Sequence, residues 1–425
     1  ELAWSKAEAR HIVIAWYTLL ENPAIEILDN GFRIRSKKEQ LRLLEKERIR
    51  KEIAEARTAF VDAFSLAWKK RDPFFIEKNE NFKPFVDELS RFACGLTSDS
   101  PIARDLGIRL TPQAVHEALL ATGFWKPSLN PWPERNGCIL SIPSEPKNIQ
   151  ERPELALERL DLRHLPSFAI DNAWSKDTDD AISIEGNRIW VHVSDPVSAI
   201  APISAEDEDA RTRASTLYLP EKTIPMLHYS LIEAFGLGIL PESRAISFGI
   251  IMQKNGKIEE ITIVPSIIRV TRLTYEEADV LLETDTVLQN LNQIAEARKK
   301  LRQDQGAVDI EYPEISIRAI DDDVEFLPVP ATRSAKLVQE LMILAGEAAA
   351  RWAYSAGISF PYVSQEPPIS SDLAGCGAGP SESLAENYAR RKVMRAAFVS
   401  STCAAHAGLG LSFYSQVTSP LRRYQ

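Results

Sequence analysis

Cysteine is scarce: Cys94, Cys138, Cys376 and Cys403 lie far apart in 425 residues, with no CxxC pair. That spacing excludes a disulfide framework and a zinc knuckle, and leaves buried free thiols as the expectation. No apolar run reaches membrane-spanning length, and no basic, apolar, small-residue leader opens the chain, so a soluble intracellular protein with no membrane partner is expected. An excess of basic charge is missing too. Fifty Lys and Arg against 60 Asp and Glu give a net charge of −10, which argues against a protein that coats nucleic acid nonspecifically. HExxH and GxSxG are absent. Gly375, Gly377 and Gly379 follow no strand and lead to no Gly-Lys-Thr/Ser ending, so they read as a flexible loop.

What is present is an ordinary globular composition, 44% hydrophobic and 26% charged, on a chain long enough for two or three domains. The acidity is uneven: residues 1–150 carry 23 basic and 21 acidic side chains, and residues 151–425 carry 27 and 39. The chain begins at Glu1 without a methionine and stops at Tyr424-Gln425 with no tail composition, which suggests a piece of something longer.

Residues 1–125 read as a helical module. Ser5 is placed to cap a helix through Ile12, Ile14, Trp16 and Leu19, and Ser36 to cap a charged helix from Lys37 to about Phe64. Thr111-Pro112 supplies an N-cap and a first-turn proline, Ala114, Ala118, Leu119 and Leu120 an apolar face, and Gly123 a stop. A protein-interaction or packing module and a helix-turn-helix nucleic-acid binder both stay open for this part. Residues 126–160, with Pro127, Pro131, Pro133, Pro143, Pro146 and Pro153, read as a linker or strap.

Residues 161–425 open with strands. Phe168 to Ile170 and Ala181 to Glu185 are apolar; Gly186-Asn187 signals a hairpin into the alternating Ile189, Val191 and Val193. His192 falls mid-strand and reads as a structural histidine. A second hairpin joins Ser247–Gln253 to Lys257–Val264 across Asn255-Gly256, and helical patterns follow at Tyr275–Glu283, Thr286–Arg302, Ser334–Tyr354 and Glu382–Thr402. Strands first and helices later predict an α+β fold.

The chemistry-bearing segment is Ala169-Ile-Asp171-Asn-Ala-Trp-Ser-Lys-Asp177-Thr-Asp179-Asp180-Ala-Ile. Four aspartates within ten residues follow one apolar strand and enter the next, so the loop can fold Asp171 against the Asp177–Asp180 turn. Like charges so confined repel and stay partly protonated unless a cation intervenes, and hard carboxylate oxygens suit Mg²⁺. A solvated acidic turn is the plainer reading of such a pattern; the anchoring apolar flanks Phe168, Ile170, Ile182 and Ile184 weigh against it. An EF-hand is excluded by Lys176, by Ile182 and by the missing twelfth-position glutamate.

This segment resembles the signature of the ribonuclease II (RNB) family of exoribonucleases. Further motifs stand in the family's order: Trp190-Val-His-Val-Ser-Asp195, Leu217-Tyr-Leu-Pro-Glu-Lys-Thr-Ile-Pro-Met226, Arg272-Leu-Thr-Tyr275, Gln339-Glu-Leu-Met-Ile-Leu-Ala345 and Tyr414-Ser-Gln-Val-Thr-Ser-Pro-Leu-Arg-Arg-Tyr424. The resemblance implies an RNB-type catalytic domain, a mixed sheet with packed helices, behind the helical module and truncated on its C-terminal side. It implies that Asp171, Asp177, Asp179 and Asp180 hold or orient Mg²⁺, with Mn²⁺ as a substitute, and that Asp179 and Arg422 are catalytic. It further implies that Tyr218 stacks on a terminal base, that Tyr275 and Glu340 lie near the sugar, and that Arg423 beside Arg422 contacts RNA. The implied activity is hydrolysis of single-stranded RNA from the 3′ end to nucleoside 5′-monophosphates, with further OB or S1 RNA-binding domains in the full-length protein. The alternative is a catalytically silent RNB-like regulator that binds RNA or protein. Ile310 stands where many members have an aromatic, Gly346 where asparagine is usual, and Tyr362-Val-Ser-Gln365 replaces Arg-Val-His. The last features are similar to the cyanobacterial and plastid branch, and imply a cytoplasmic location, or a plastid or other organelle in a eukaryote.

Overall fold

The computed structural model describes residues 9–22, 24–28, 31–71, 79–150, 152, 158–320, 323–368 and 383–424. It separates into two compact units, Glu1–Cys138 and Ile139–Gln425.

In the first unit α1 (Ala9–Glu21) precedes a small hairpin of β1 (Ile25–Leu28) and β2 (Gly31–Ile34), then the long α2 (Lys37–Lys70). Ser36 and Glu39 close a reciprocal capping box at the start of α2, and Arg71 ends it in the left-handed conformation. The helix runs beyond Phe64 because its buried residues, Phe60, Phe64 and Ala67, fall in its last third and dock on the core. That core gathers Phe60, Phe64, Leu89, Phe92, Ile102, Val115 and Leu119 from α2, α3 (Lys83–Ala93), α4 (Pro101–Asp105) and α5 (Pro112–Ala121), with Phe82 from the turn before α3 and Trp125 from the turn after α5. Thr111 caps α5 with Pro112 in its first turn. By contrast, Ile12, Ile14 and Trp16 of α1 are exposed, and the proposed cap Ser5 lies outside the described residues. The helical turn α6 (Trp132–Arg135) belongs to this unit, since Arg135 Nε donates to the Ala93 carbonyl at 2.7 Å and Nη2 to that of Pro112 at 3.2 Å. The division therefore falls after Cys138, later than the composition shift near residue 125 suggests.

The second unit is α+β. Its strands β3 (Leu160–Asp161), β4 (Ser167–Asp171), β5 (Asp180–Glu185), β6 (Arg188–Ser194), β9 (Ser243–Met252), β10 (Ile258–Ile268) and β11 (Val270–Thr274) form a mixed sheet in the order β11-β4-β5-β6-β9-β10-β3. Between β6 and β9 lie α7 (Ala205–Arg213), the hairpin β7 (Leu217–Tyr218) and β8 (Thr223–Ile224), and α8 (Tyr229–Phe235). Strand β3 begins within the stretch that reads as a strap, and pairs in parallel with β10. The period of two along each strand decides the faces. Phe168, Ile170, Ile182, Ile189, Val191, Val193, Phe248 and Ile250 point to one side, where α9 (Tyr275–Leu281), α10 (Thr286–Asp304) and α11 (Arg333–Ser355) cover them. Ala169, Ala181, Trp190 and Ala245 point to the other, with Leu162, Leu165 and Leu237.

Between α10 and α11 runs a hairpin the sequence reading did not mark, β12 (Glu314–Ile320) paired with β13 (Asp323–Val329). The helix expected over Glu382–Thr402 is shorter: α12 spans Leu384–Val393, and Phe398–Ser400 is β15, paired with β14 (Tyr362–Ser364). Strand-favouring Phe398 and Val399 find a partner far away in sequence, and that pairing overrides the helical pattern. The thiols are mixed, with Cys94 buried and Cys138 and Cys403 only partly so; Cys376 and the glycines Gly375, Gly377 and Gly379 lie outside the described residues. Among the described residues no helix is long and apolar enough to cross a membrane.

Candidate active site

The aspartate loop is strung between two core strands. Asp171 ends β4 and Asp180 begins β5. Between them Ser175 Oγ donates to Asp171 Oδ2 at 2.6 Å and lies 3.3 Å from Asp177 Oδ1, so one hydroxyl spans two carboxylates. Arg272 from β11 donates to the Ser175 carbonyl at 3.0 Å. Thr178 fixes the far side of the loop: its hydroxyl donates to the Leu237 carbonyl and its own carbonyl accepts from Leu237 N–H, both at 2.8 Å.

The C-terminal segment closes on this loop. Leu421 N–H donates to Asp179 Oδ1 at 2.6 Å and Arg422 Nε to Asp179 Oδ2 at 3.1 Å. Ser419, in the left-handed region at φ 68°, aims both its N–H and its hydroxyl at Asp180 at 3.2 Å, and its hydroxyl also accepts from Arg422 Nη2 at 3.0 Å. A serine held there carries about 1 kcal/mol of backbone strain, consistent with a segment shaped by its contacts with the carboxylates. The segment is braced by Thr216 N–H on the Arg422 carbonyl at 3.0 Å and by Tyr424 N–H on the Ala214 carbonyl at 2.8 Å.

The tyrosines arrive by strand geometry. β11 lies parallel to β4 with Thr274 opposite Asp171, so Tyr275, the next residue, starts α9 beside that carboxylate. Tyr218 on β7 donates its hydroxyl to Asp177 Oδ2 at 2.8 Å while its side chain stays half-exposed. Burial first, and the neighbouring carboxylates second, raise both phenols, Tyr275 to about 12. Two other predicted residues stand apart from this group. Glu340 is buried with both carboxylate oxygens taken by Arg302 of α10, and Arg302 in turn donates to the Leu409 carbonyl at 3.0 Å. Arg423 is exposed and bridges to Ser215 rather than joining Arg422 on the aspartates. Ile310 follows Asp309, which α10 holds through Gln303 and Lys299.

The electrostatics single out the middle of the loop. Burial and the adjacent Asp180 hold the Asp179 carboxyl well above the usual range despite Leu421 and Arg422. Burial raises Asp180 to about 6 against the lowering contacts of Ser419 and Arg422. The donors are hard oxygens and carry more negative charge than Arg422 balances, the chemistry that suits a divalent cation. Among the described residues no three acidic, histidine or cysteine side chains are already gathered as a ligand cage. The carboxylates thus fit a cation by charge and donor type, without a preformed shell.

An α+β domain with a carboxylate–arginine site at the ends of two inner strands of a mixed sheet is the class defined by these features. The chain belongs to the family of the RNB domain, whose profile matches residues 159–425. It is 31% identical over 94% of its length to an uncharacterized ribonuclease of Synechocystis and 36% identical over 63% to the chloroplastic/mitochondrial ribonuclease II of Arabidopsis thaliana, which carries the cyanobacterial and plastid affinity. It covers 60% of the former and 36% of the latter, so it spans only part of the relatives it matches. A crystal structure of an active-site variant of the Dss1 exoribonuclease from Candida glabrata shares the fold with TM-score 0.66 over 85% of this chain and 53% of that one, at 20% identity.

Sequence reasoning missed Ser175, Thr178 and Ser419 as parts of the site, although all three stand inside the motifs that carried the resemblance. Short hydroxyls between carboxylates were the available signal.

Proposed function

We propose that the second unit is the catalytic domain of a divalent-metal-dependent exoribonuclease that removes nucleotides from the 3′ end of single-stranded RNA. The observation that carries this reading is the contact of buried Asp179 with the half-buried Arg422 among three further carboxylates, in a domain of the RNB family. In the reaction a water oxygen bonds to the terminal phosphorus and the P–O3′ bond breaks, leaving a 3′-hydroxyl on the shortened RNA and releasing a nucleoside 5′-monophosphate. Asp171, Asp177, Asp179 and Asp180 would hold Mg²⁺ or Mn²⁺, which supplies charge neutralisation and water activation.

The chain's own groups have separable tasks. Asp179 and the Ser419 hydroxyl orient the Arg422 guanidinium, whose planar fork and permanent charge suit the oxygens of a crowded phosphorus. Tyr218 is held by its hydroxyl on Asp177 with its side chain half-exposed, which suits stacking on a terminal base. Tyr275 lies beside Asp171, and in this reading its phenol meets the sugar. Glu340 acts through Arg302, as a brace between α10, α11 and the Leu409 turn. Further RNA-binding domains of the OB or S1 type belong, in this reading, to the parts of the relatives that the chain does not span. The test is a 5′-labelled single-stranded RNA incubated with and without Mg²⁺: stepwise shortening from the 3′ end, abolished by EDTA, is expected. Internal cleavage, or undiminished activity in EDTA, overturns the proposal, and binding with no cleavage under any divalent ion favours the silent regulator.

A further inference from the structure

Trp174 sits midway between Asp171 and Asp177, yet its side chain is 55% exposed. The turn that carries it is fixed on both sides, by Ser175 N–H on the Asn172 carbonyl at 2.9 Å and by Arg272 on the Ser175 carbonyl at 3.0 Å. The Arg318 guanidinium from the middle of β12 lies 5.2 Å from the centroid of the indole. The hairpin bearing Arg318 is itself tied to the site, because Ala319 N–H donates to the Pro220 carbonyl at 2.9 Å, two residues past Tyr218. An indole carried on the aspartate loop, partnered by a cation from a separate element and still open to solvent, is a stacking platform with a positive charge at hand.

We propose that Trp174 and Arg318 form a subsite for single-stranded RNA at the rim of the aspartate loop, in which the indole stacks on a base and the guanidinium meets a neighbouring phosphate. The inference rests on the exoribonuclease reading for its choice of ligand. Two exposed aromatic residues, Tyr218 and Trp174, then serve the same carboxylate site, one bonded to Asp177 and the other on its loop. Aliphatic Ile310 offers no flat face for this purpose. Stacking on a π-face is tolerant of base identity, and a fixed guanidinium adds salt-dependent affinity without reading sequence.

Equilibrium binding of a short single-stranded RNA, measured in EDTA so that no chemistry intervenes, separates the outcomes. Trp174→Ala should weaken binding about tenfold and Trp174→Phe should recover most of that loss. Arg318→Ala should lower the slope of log affinity against log salt by about 0.7, one phosphate contact on a single strand. A 2-aminopurine near the 3′ end should be quenched by the parent and less so by Trp174→Ala, and with Mg²⁺ the loss should fall on KM more than on kcat. Unchanged affinity in Trp174→Ala overturns the subsite and leaves the exoribonuclease reading intact. Equal losses in the Ala and Phe variants, with a lowered unfolding temperature, also overturn it, since they make Trp174 a loop brace. If the parent binds RNA through Trp174 but cleaves nothing, the subsite stands and the catalytic reading falls; if the parent binds no RNA, both fall.

Discussion

Asp180 and His192 lie one register step apart on the β5–β6 pair, opposite Val193 and Ala181 respectively, and point to opposite faces of the sheet. On the His192 face burial is met by neutral partners: Ser183 and Ser247 hydroxyls lie 2.8 and 2.6 Å from the two ring nitrogens, and Ser247 continues to Ser266 at 2.5 Å. Burial alone pushes the imidazole down to about 3, so it stays neutral and the polar chain is satisfied without charge. At Asp180 burial is met by more carboxylates, and one arginine cannot balance them. A satisfied neutral chain is a structural device, whereas buried like charges persist only where something else offsets them. Neighbouring cross-strand pairs thus hold one buried polar side chain as scaffold and the other as chemistry.

Four measurements test that division. The largest effect is expected at Asp179. Asp179→Asn, nearly isosteric and uncharged, should cut turnover by at least about 100-fold while RNA affinity stays within a few-fold, the signature of a lost participant in a metal site. A variant retaining more than about a tenth of parental turnover would return Asp179 to the structural class.

Arg422→Lys should lower single-turnover rates by about ten- to a hundredfold and affinity by much less, because the charge survives but the fork does not. Arg423→Lys is the internal control, since Arg423 is exposed and its backbone bridges to Ser215, and its rate should stay near that of the parent. Equal behaviour of the two lysine variants would show that the Asp179–Arg422 contact has no special part in the chemistry.

Gly346 tests the scaffold. A Cβ there would fall on the Ser415 carbonyl oxygen and come 2.6 Å from the Tyr414 ring, at the point where α11 receives the segment that leads to Ser419 and Arg422. Gly346→Asn should therefore cost about 2 kcal/mol in denaturant unfolding, the scale of overpacking against backbone. A variant as stable as the parent would mean that this segment moves aside easily, and that its hold on the aspartates is looser than the contacts imply.

The sheet and the chemistry were legible to different depths. Ile189, Val191 and Val193 alternate, and Gly186 turns at φ 61°, so the β5–β6 hairpin follows from local rules. The four aspartates announced themselves by repulsion. What could not be read is what meets them from afar: Ser419 reaches Asp180 across 239 positions, and Arg302 reaches Glu340 across 38. Glu340 accordingly reads as a substrate contact in the sequence, and in the fold both its carboxylate oxygens are held by Arg302. β12–β13 has no signal in the sequence because neither strand carries a buried residue, leaving no core side for alternation to mark. Helix α12 ends at Val393, short of its helical pattern, and nothing local reveals that Val399 pairs with Val363.

The smallest effect concerns His192 and depends on pH. An unpaired histidine titrates at 6.5 and this one at about 3. Below pH 6.5 the unfolded chain takes up a proton that the folded chain refuses, so the stability from a neutral His192 is complete above 6.5 and drains away as pH falls toward 3. Near pH 5 the loss is about 2 kcal/mol. Asp180 works in the opposite sense in metal-free buffer: raised from 3.8 to about 6, it favours the folded state below 3.8 and loses that contribution as pH climbs through 6. Parental stability alone therefore mixes the two faces of the sheet. The difference between parent and His192→Gln, whose amide can still meet the Ser183 and Ser247 hydroxyls, isolates the histidine because Asp180 titrates alike in both. Unfolding free energies should converge or cross as pH drops from 7 to 5, with the parent losing the more, and turnover per folded molecule at pH 7 should match. Parallel pH profiles would mean that His192 is charged or solvated in the fold, and the contrast between a neutral buried group and a charged one would fail at its inert end.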